Sequence, residues 1–145
     1  MPVVKYPFKP QPISDTSGKN LVTIVWQPKI PIFLKINGIL YPFKLEPFVD
    51  SGATRNLFPA DPLDSFGIKL ENEQKRIHYG IGGYEVISYT HEVEIIVDKY
   101  RFTTEIDFSR RHKPPLLGVD GFFRFFDSVF FDMINHQLVL KYNNG

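Results

Sequence analysis

The chain of 145 residues contains no cysteine, which excludes disulfide bridges, thiolate metal sites and cysteine nucleophiles. Charge of one sign is also scarce: the formal net charge is +1, whereas a dedicated nucleic-acid binder needs clustered lysines and arginines. The longest apolar runs, such as residues 30–34, are far shorter than the ~20 residues that span a bilayer. We therefore expect neither a nucleic-acid partner nor a membrane partner.

The composition predicts one folded domain. Hydrophobic residues make up 43% and charged residues 23% of the chain, which has the length of a single ordinary domain and is too apolar to be disordered. Four prolines and two lysines within residues 1–12 interrupt any apolar signal-peptide core. We therefore expect a cytoplasmic protein with one compact core.

Proline is concentrated towards the amino-terminal end. Six of the twelve prolines precede Ile32, so residues 1–30 cannot form one long helix. We predict that residues 1–30 are a proline-rich extended arm with one strand at residues 21–26. Residues 31–145 are predicted to form the domain itself.

Apolar residues alternate along most of the predicted domain, which is typical of β-strands. The pair Asn37-Gly38 predicts a tight hairpin turn, because both residues tolerate the positive φ that such a turn needs. Further hairpins are predicted with turns around residues 80–83, 98–99 and 135–136. The sequence therefore predicts an all-β architecture.

Helical structure is expected to be minor. Residues 59–67 are too broken by proline and glycine for more than a helical turn. Residues 120–126 begin with Asp120, whose carboxylate can cap backbone amides, and they are the only good helix candidate. We predict one short helix near the C-terminal end.

An acidic residue follows directly on an apolar strand. Residues 45–49 lead into Asp50, and Ser51 and Gly52 come next. Taken alone this triplet is weak evidence, because all three residue types are common in turns. It is nevertheless the sharpest candidate for a catalytic site, since it delivers a carboxylate and a hydroxyl to a strand end.

Two further motifs follow Asp50 along the chain. One is the glycine-rich segment Gly80-Ile81-Gly82-Gly83-Tyr84, and the other is Leu116-Leu117-Gly118, which precedes a short acidic segment. Together with Phe48-Val49-Asp50-Ser51-Gly52-Ala53-Thr54, and in this order, they resemble the retropepsins, the single-domain aspartic proteases of retroviral type. The resemblance covers roughly residues 31–142.

The resemblance implies a small closed β-barrel that forms a homodimer and cleaves peptides or unfolded proteins as an endopeptidase. It implies that Ser51 bonds across the dimer axis and that a hinged flap closes over an extended peptide. The implied site residues are Asp50 as the catalytic acid and base; Ser51, Gly52, Ala53 and Thr54 in the active-site loop; Gly80, Ile81, Gly82, Gly83 and Tyr84 in the flap; and Leu116, Leu117, Gly118 and Asp120 as structural support. One departure is Val119, where many relatives carry an arginine that ties the loops together.

The chemistry of peptide hydrolysis explains why a second copy of the chain is needed. Without a covalent intermediate, a base must activate water while an acid polarises the carbonyl group. Two adjacent carboxylates that share one proton do both, because like charges at close range cannot both ionise. The chain contains only one Asp-Ser-Gly triplet, so a twofold homodimer must place Asp50 of each subunit across its axis.

Other classes of function stay open at this point. A retropepsin-like module without activity, which uses its groove for peptide binding or dimerisation, is the main alternative, since a fold does not guarantee activity. An aromatic nucleic-acid binder is disfavoured by the net charge of +1. The histidines show no close ligand pairing, so we expect no metal and no cofactor, and we expect them to be ordinary surface residues. They are His78, His91, His112 and His136.

Overall fold

The fold is given by a computed structural model that describes residues 2–80 and 82–143; Ile81, which is predicted to lie in the flap, is outside the described residues. Within these residues the helices are short, namely α1 (Asp61–Ser65) and the 3-10 helices Leu70–Asn72 and Phe123–Phe125. None of the helices described is long and apolar enough to cross a membrane. The strands are β1 (Val3–Pro7), β2 (Lys9–Ser14), β3 (Leu21–Gln27), β4 (Phe33–Ile36), β5 (Ile39–Leu40), β6 (Phe48–Val49), β7 (Leu57–Pro59), β8 (Gln74–Tyr79), β9 (Glu85–Val97), β10 (Tyr100–Ser109), β11 (Leu116–Leu117), β12 (Ser128–Asp132) and β13 (Gln137–Lys141).

The main sheet is built around the long antiparallel hairpin of β9 and β10. Its strand order is β5-β4-β9-β10-β7-β11-β6, and β8 pairs with β9 off this path. The turn of the long hairpin contains Asp98, and the turn between β4 and β5 contains Asn37 and Gly38, all with positive φ. The hairpins predicted from the sequence, including β8–β9 and β12–β13, are confirmed.

The two ends of this strand order are connected by isolated bridges. Lys29 pairs with Phe48 of β6, and Ile32, next to β4, pairs with Leu45. Ile32 and Leu45 exchange two backbone hydrogen bonds, of 2.9 and 3.0 Å. These contacts bring β6 beside the chain that enters β4, while full closure into a barrel stays a prediction.

One hydrophobic core joins the main sheet to the smaller sheet formed by β1, β13 and β12. Leu138 and Leu140 of β13 are fully buried in the same cluster as Ile95 of β9. Phe122 and Phe126 are buried with their ring centres 4.8 Å apart, which anchors the segment after β11 in this core. The segment that follows β11 is therefore fixed to the hydrophobic core.

The short C-terminal helix predicted over residues 120–126 is confirmed only in part, because the segment forms a single 3-10 helix, Phe123–Phe125, and Asp120 does not cap it. The carbonyl oxygen of Gly121 accepts hydrogen bonds from Asn56 Nδ2 at 2.8 Å and from Thr104 Oγ1 at 2.7 Å. Side chains from distant parts of the chain therefore occupy the carbonyl oxygen that would accept a backbone hydrogen bond in an α-helix. The α-helix lies instead at α1, where Pro62 is tolerated because the first turn needs no amide donor there.

Residues 2–30 combine one strand of the smaller sheet with a separate hairpin. β1 pairs antiparallel with β13, and Phe8 and Ile30, on either side of the hairpin, are buried. The hairpin of β2 and β3 exposes apolar side chains, Ile24 and Trp26 among them. β3 confirms the strand predicted at residues 21–26, and the division of the chain at residue 30 stays a prediction.

Candidate active site

Asp50 lies where two parallel strands end. β6 and β11 pair in register, with Phe48 opposite Leu116 and Val49 opposite Leu117. The backbone amide of Asp50 donates to the carbonyl oxygen of Leu117 at 2.9 Å. The apolar strand is thus fixed inside the sheet, and the half-buried Asp50 is the first residue beyond it.

The turn after Asp50 directs a backbone amide at its carboxylate. The amide of Gly52 donates to Asp50 Oδ1 at 2.8 Å, and the amide of Ala53 donates to the backbone carbonyl of Asp50 at 3.1 Å. A side chain at position 52 would place its Cβ 3.2 Å from Asp50 Oδ1, a tight contact that would require the carboxylate to shift by a few tenths of an ångström. Ser51 and Thr54 are exposed beside the turn.

The leucine-glycine motif (residues 116–118) and the residues after it lie directly against this active-site loop. The amide of Val119 donates to the carbonyl of Ala53 at 2.8 Å, and the amide of Asp120 donates to the carbonyl of Thr54 at 2.7 Å. The structure therefore brings the predicted active-site loop and its predicted support into direct contact. Their roles in an enzyme stay predictions.

Asn56 joins the two loops through its side chain. It is fully buried, its Oδ1 accepts from the amide of Gly118 at 2.9 Å, and its Nδ2 donates to the carbonyls of Gly121 and Glu105 at 2.8 and 3.1 Å. Gly118 lies so close that a Cβ there would be 2.5 Å from the carbonyl oxygen of Arg55. Sequence reasoning missed Asn56, because asparagine is far more common at the surface than in a core.

Asp107 is a buried carboxylate at the centre of a second polar cluster. Arg55, just after the active-site loop, donates to its two oxygens at 2.7 and 2.9 Å. Thr90 of β9 donates to Oδ1 at 2.7 Å, and Nε2 of His78 on β8 lies 2.9 Å from Oδ2. The cluster connects the active-site loop to the strand that leads into the predicted flap. No local sequence pattern indicated it, since its members come from four distant segments.

The stability of the fold is expected to depend on the charge of Asp107. Burial by itself disfavours the charged form, but hydrogen bonds from Arg55 and Thr90 outweigh it and lower the pKa of Asp107 below its ordinary 3.8. Because the folded-state pKa lies below the unfolded one, this contribution is present above pH 3.8 and is lost as the pH falls through the lowered value. Chemical unfolding measured over a pH series should show this loss.

The matched variant for this prediction is Asp107→Asn, which keeps the shape of the side chain and removes the charge. We expect it to lower the free energy of unfolding at neutral pH by about 3 kcal/mol, because Arg55 loses a buried partner. Its unfolding free energy should also fall less steeply in acid than that of the native protein. Equal acid dependence of the two proteins would contradict the assignment.

The predicted flap tip is the turn between β8 and β9. The amide of Gly80 donates to the carbonyl of Tyr84 at 2.8 Å, and the amide of Gly83 donates to the carbonyl of Gly80 at 3.1 Å. Gly82 and Gly83 have φ of +86° and +81°, which glycine adopts without steric strain. The glycines therefore form a hairpin tip as predicted, while its closure over a peptide stays a prediction.

A cleft of about 810 Å³ separates Asp50 from β8. Asp50 and Leu116 border it on the side of the active-site loop, and His78 and Gly80 border it on the side of the predicted flap. Leu116 thus lines the cleft in addition to pairing with Phe48 of β6. The arrangement places a carboxylate on the wall of a cleft whose volume lies in the range of ligand-binding sites.

The expectation that every histidine is an ordinary surface residue is wrong for His91. Only 7% of its surface is exposed, and its Nε2 lies 3.1 Å from the carbonyl oxygen of Leu70. His78 is half-buried against Asp107. Neither position carries a sequence signal, because burial of these rings depends on which distant segments pack over β8 and β9.

Comparison with solved structures identifies the fold. EIAV protease complexed with the inhibitor HBY-793 matches with a TM-score of 0.51 and 18% identity, over 65% of this chain and 83% of that chain. A retropepsin-like aspartic protease from Rickettsia conorii matches with a TM-score of 0.60 and 16% identity, over 97% of this chain and 92% of that chain. The fold is retropepsin-like. No family model and no curated protein matches the sequence.

The retropepsin-like fold confirms the resemblance inferred from the three motifs. The match to the Rickettsia conorii protein covers 97% of the chain, so it also includes most of residues 1–30. The identities of 16% and 18% show that the likeness is carried by chain path and not by sequence at large. Short motifs at fixed places in the fold are therefore what made the relationship visible in the sequence.

Proposed function

We propose that the protein is an aspartic endopeptidase that acts as a homodimer, with Asp50 of both subunits forming the catalytic dyad. The observation that carries this proposal is the position of Asp50 in a retropepsin-like fold. Asp50 directly follows β6, its Oδ1 accepts a hydrogen bond from the amide of Gly52 at 2.8 Å, and it borders the cleft. The glycine-rich hairpin at residues 80–84 is proposed to be the flap over the same cleft, and the cytoplasm is the proposed location.

In the proposed mechanism one Asp50 carboxylate is ionised and the other is protonated. The ionised group takes a proton from water as the water oxygen bonds to the peptide carbonyl carbon, and the protonated group donates its proton to the carbonyl oxygen. One hydroxyl group of the resulting diol then gives its proton to the Asp50 that acted as the acid and is now ionised. The other Asp50, which took a proton from water, donates it to the peptide nitrogen, and the C–N bond breaks. No covalent bond to the protein forms at any stage.

The substrate is proposed to be an extended peptide or an unfolded protein. An extended chain in the cleft lies between the active-site loop and β8, where backbone groups can pair with it as with an added strand. Closure of the flap would then exclude bulk water from the dyad. The amide of Gly52 keeps Asp50 oriented, because it holds one of the two carboxylate oxygens.

Two features support the need for a second subunit. Asp50 is the only carboxylate among the described residues that line the cleft, and a water-activating dyad needs two. A smaller cavity of about 410 Å³ lies next to Asp50 and Ser51, and its walls are largely apolar, with Phe48 and Phe131 among them. Apolar surface beside an incomplete site is well suited to cover by a second copy of the chain.

The proposal predicts that activity depends on association. Each centre requires two subunits, so the specific activity towards an unfolded protein should rise with protein concentration until the dimer is fully formed. Initial rates over a dilution series, compared with molecular mass from analytical ultracentrifugation at the same concentrations, test this. A monomer that cleaves at full specific activity would refute the dyad.

Subunit mixing provides the control for this prediction. Hybrids of native protein with Asp50→Asn protein have only one acid, so the activity per native subunit should fall as the variant is added. An Asp98→Asn protein, altered in an exposed turn away from the cleft, should exchange in the same way and leave activity unchanged. An inactive peptide-binding module would show no proteolysis in any of these mixtures.

A further inference from the structure

The buried carboxylate of Asp107 has no acceptor position left. A carboxylate offers about four acceptor sites, two on each oxygen. Oδ1 accepts from Arg55 Nη2 at 2.9 Å and from Thr90 Oγ1 at 2.7 Å. Oδ2 accepts from Arg55 Nε at 2.7 Å and contacts His78 Nε2 at 2.9 Å. The cluster around Asp107 is therefore saturated by three side chains.

Arg76 contacts this cluster through Thr90 and makes no hydrogen bond to Asp107 itself. Its Nε donates to Thr90 Oγ1 at 2.8 Å and remains 4.0 Å from Asp107 Oδ1, which is an ion pair without a hydrogen bond. A guanidinium carries five N–H donors, and the four on its terminal nitrogens have no hydrogen-bond acceptor among the described residues. The side chain is 34% exposed and lines the cleft.

The charged side chains on the cleft wall also favour an acidic ligand. Lys75 also lines the cleft, and within residues 2–80 and 82–143 no carboxylate lies within 4.0 Å of its ammonium group. Arg55, the third cation on the wall, is neutralised by Asp107. Asp50 is the only acidic side chain of the lining among the described residues, and it is assigned to catalysis. The wall therefore has a surplus of positive charge next to the reacting carboxylate.

We propose that Arg76 binds the carboxylate of an acidic side chain of the substrate, so that peptides with Asp or Glu near the scissile bond are preferred. The inference rests on the proposed function, since it names the substrate class of the same site. A planar guanidinium whose Nε is held by Thr90 presents its two terminal nitrogens to a carboxylate as a fork. Partial burial limits screening by solvent, which makes this contact stronger than one on an open surface.

The test is a set of peptides in which one glutamate is moved through the positions flanking the scissile bond, each paired with its glutamine counterpart. At one position the glutamate peptide should have a kcat/KM about tenfold to a hundredfold higher than the glutamine peptide, mainly through a lower KM. The ratio should shrink as salt is added. A ratio near one at every position of the native enzyme overturns the inference.

Variants of Arg76 locate the effect. Arg76→Gln should bring the glutamate-to-glutamine ratio to about one, and Arg76→Lys should keep part of it, because the charge remains and the fork is lost. The matched control is Arg101→Gln, whose exposed side chain pairs weakly with Glu94 at 3.9 Å and does not line the cleft. A preference that survives in a folded Arg76→Gln protein overturns the assignment to Arg76.

Binding to the Asp50→Asn protein separates this inference from the proposed function. Fluorescence anisotropy with the same peptide pairs measures the preference without cleavage. Cleavage by the native protein with no glutamate preference refutes the inference and leaves the function standing. Preferential binding that is lost in Asp50→Asn/Arg76→Gln protein, with no cleavage by the native protein, supports the inference and refutes the function. Equal binding of both peptides, or of neither, overturns the inference.

Discussion

Replacement of Asp50 by asparagine is expected to lower kcat/KM for peptide cleavage by at least about a thousandfold. An amide can neither take a proton from water nor share one with the second Asp50, so both halves of the proposed acid-base step are lost. The fold should persist, because the amide of Gly52, now 2.8 Å from a carboxylate oxygen, can donate to the side-chain oxygen of asparagine. Cleavage of an unfolded protein by purified native and variant protein measures the effect.

Two measurements make this result decisive. Circular dichroism and thermal unfolding of the same samples should be alike for the native and variant proteins, which excludes loss of activity by unfolding. The control is Asp98→Asn, an identical chemical change in the β9–β10 turn, where asparagine tolerates the φ of +53°. Unchanged proteolysis by the Asp50→Asn protein would rule out the assigned mechanism.

Replacement of Gly118 by alanine is expected to lower the free energy of unfolding by about 3 kcal/mol or more. The added Cβ would lie 2.5 Å from the carbonyl oxygen of Arg55 and 2.8 Å from that of Ala53, and both are backbone atoms. The loops cannot separate freely, because the amide of Gly118 donates to the buried Asn56. Chemical denaturation of native and variant protein measures the change.

The control for this prediction is the same substitution at Gly80. Its φ is not positive, and an added Cβ would meet only the carbonyl oxygen of Tyr84, at an ordinary contact distance of 3.9 Å. Gly80→Ala should therefore change the free energy of unfolding by about 1 kcal/mol at most. If Gly118→Ala were as stable as Gly80→Ala, the close packing of the two loops would be contradicted.

Local sequence patterns predicted the hairpins well. The turn at Asn37 and Gly38 follows from residues that tolerate positive φ, and the alternation in β9 and β10 follows from the two faces of a sheet. The helix predicted at residues 120–126 is reduced to the 3-10 helix Phe123–Phe125, because contacts with distant residues compete with helical hydrogen bonds. The carbonyl of Gly121 is held by Asn56 and Thr104, which are far away in the sequence.

Some residues of the candidate site were also visible in the sequence, and others were not. Asp50, with its apolar strand and the following glycine, was visible because a strand end, a carboxylate and a close-approach glycine are adjacent in the sequence. The cluster around Asp107 was not visible, since Arg55, His78 and Thr90 reach it from separate strands and loops. Asn56 was missed because its three hydrogen-bond partners are all long-range.

Three properties can be read from neighbouring residues: the β-rich character of the chain, the place of Asp50 after an apolar strand, and the likeness to retropepsins. Three others emerge only in the folded chain: the leucine-glycine motif lies against the active-site loop, Asp107 is saturated with hydrogen bonds, and Arg76 faces the cleft without a hydrogen-bonded acid. These depend on hydrogen bonds and burial between distant segments, which packing sets and no short stretch of residues encodes.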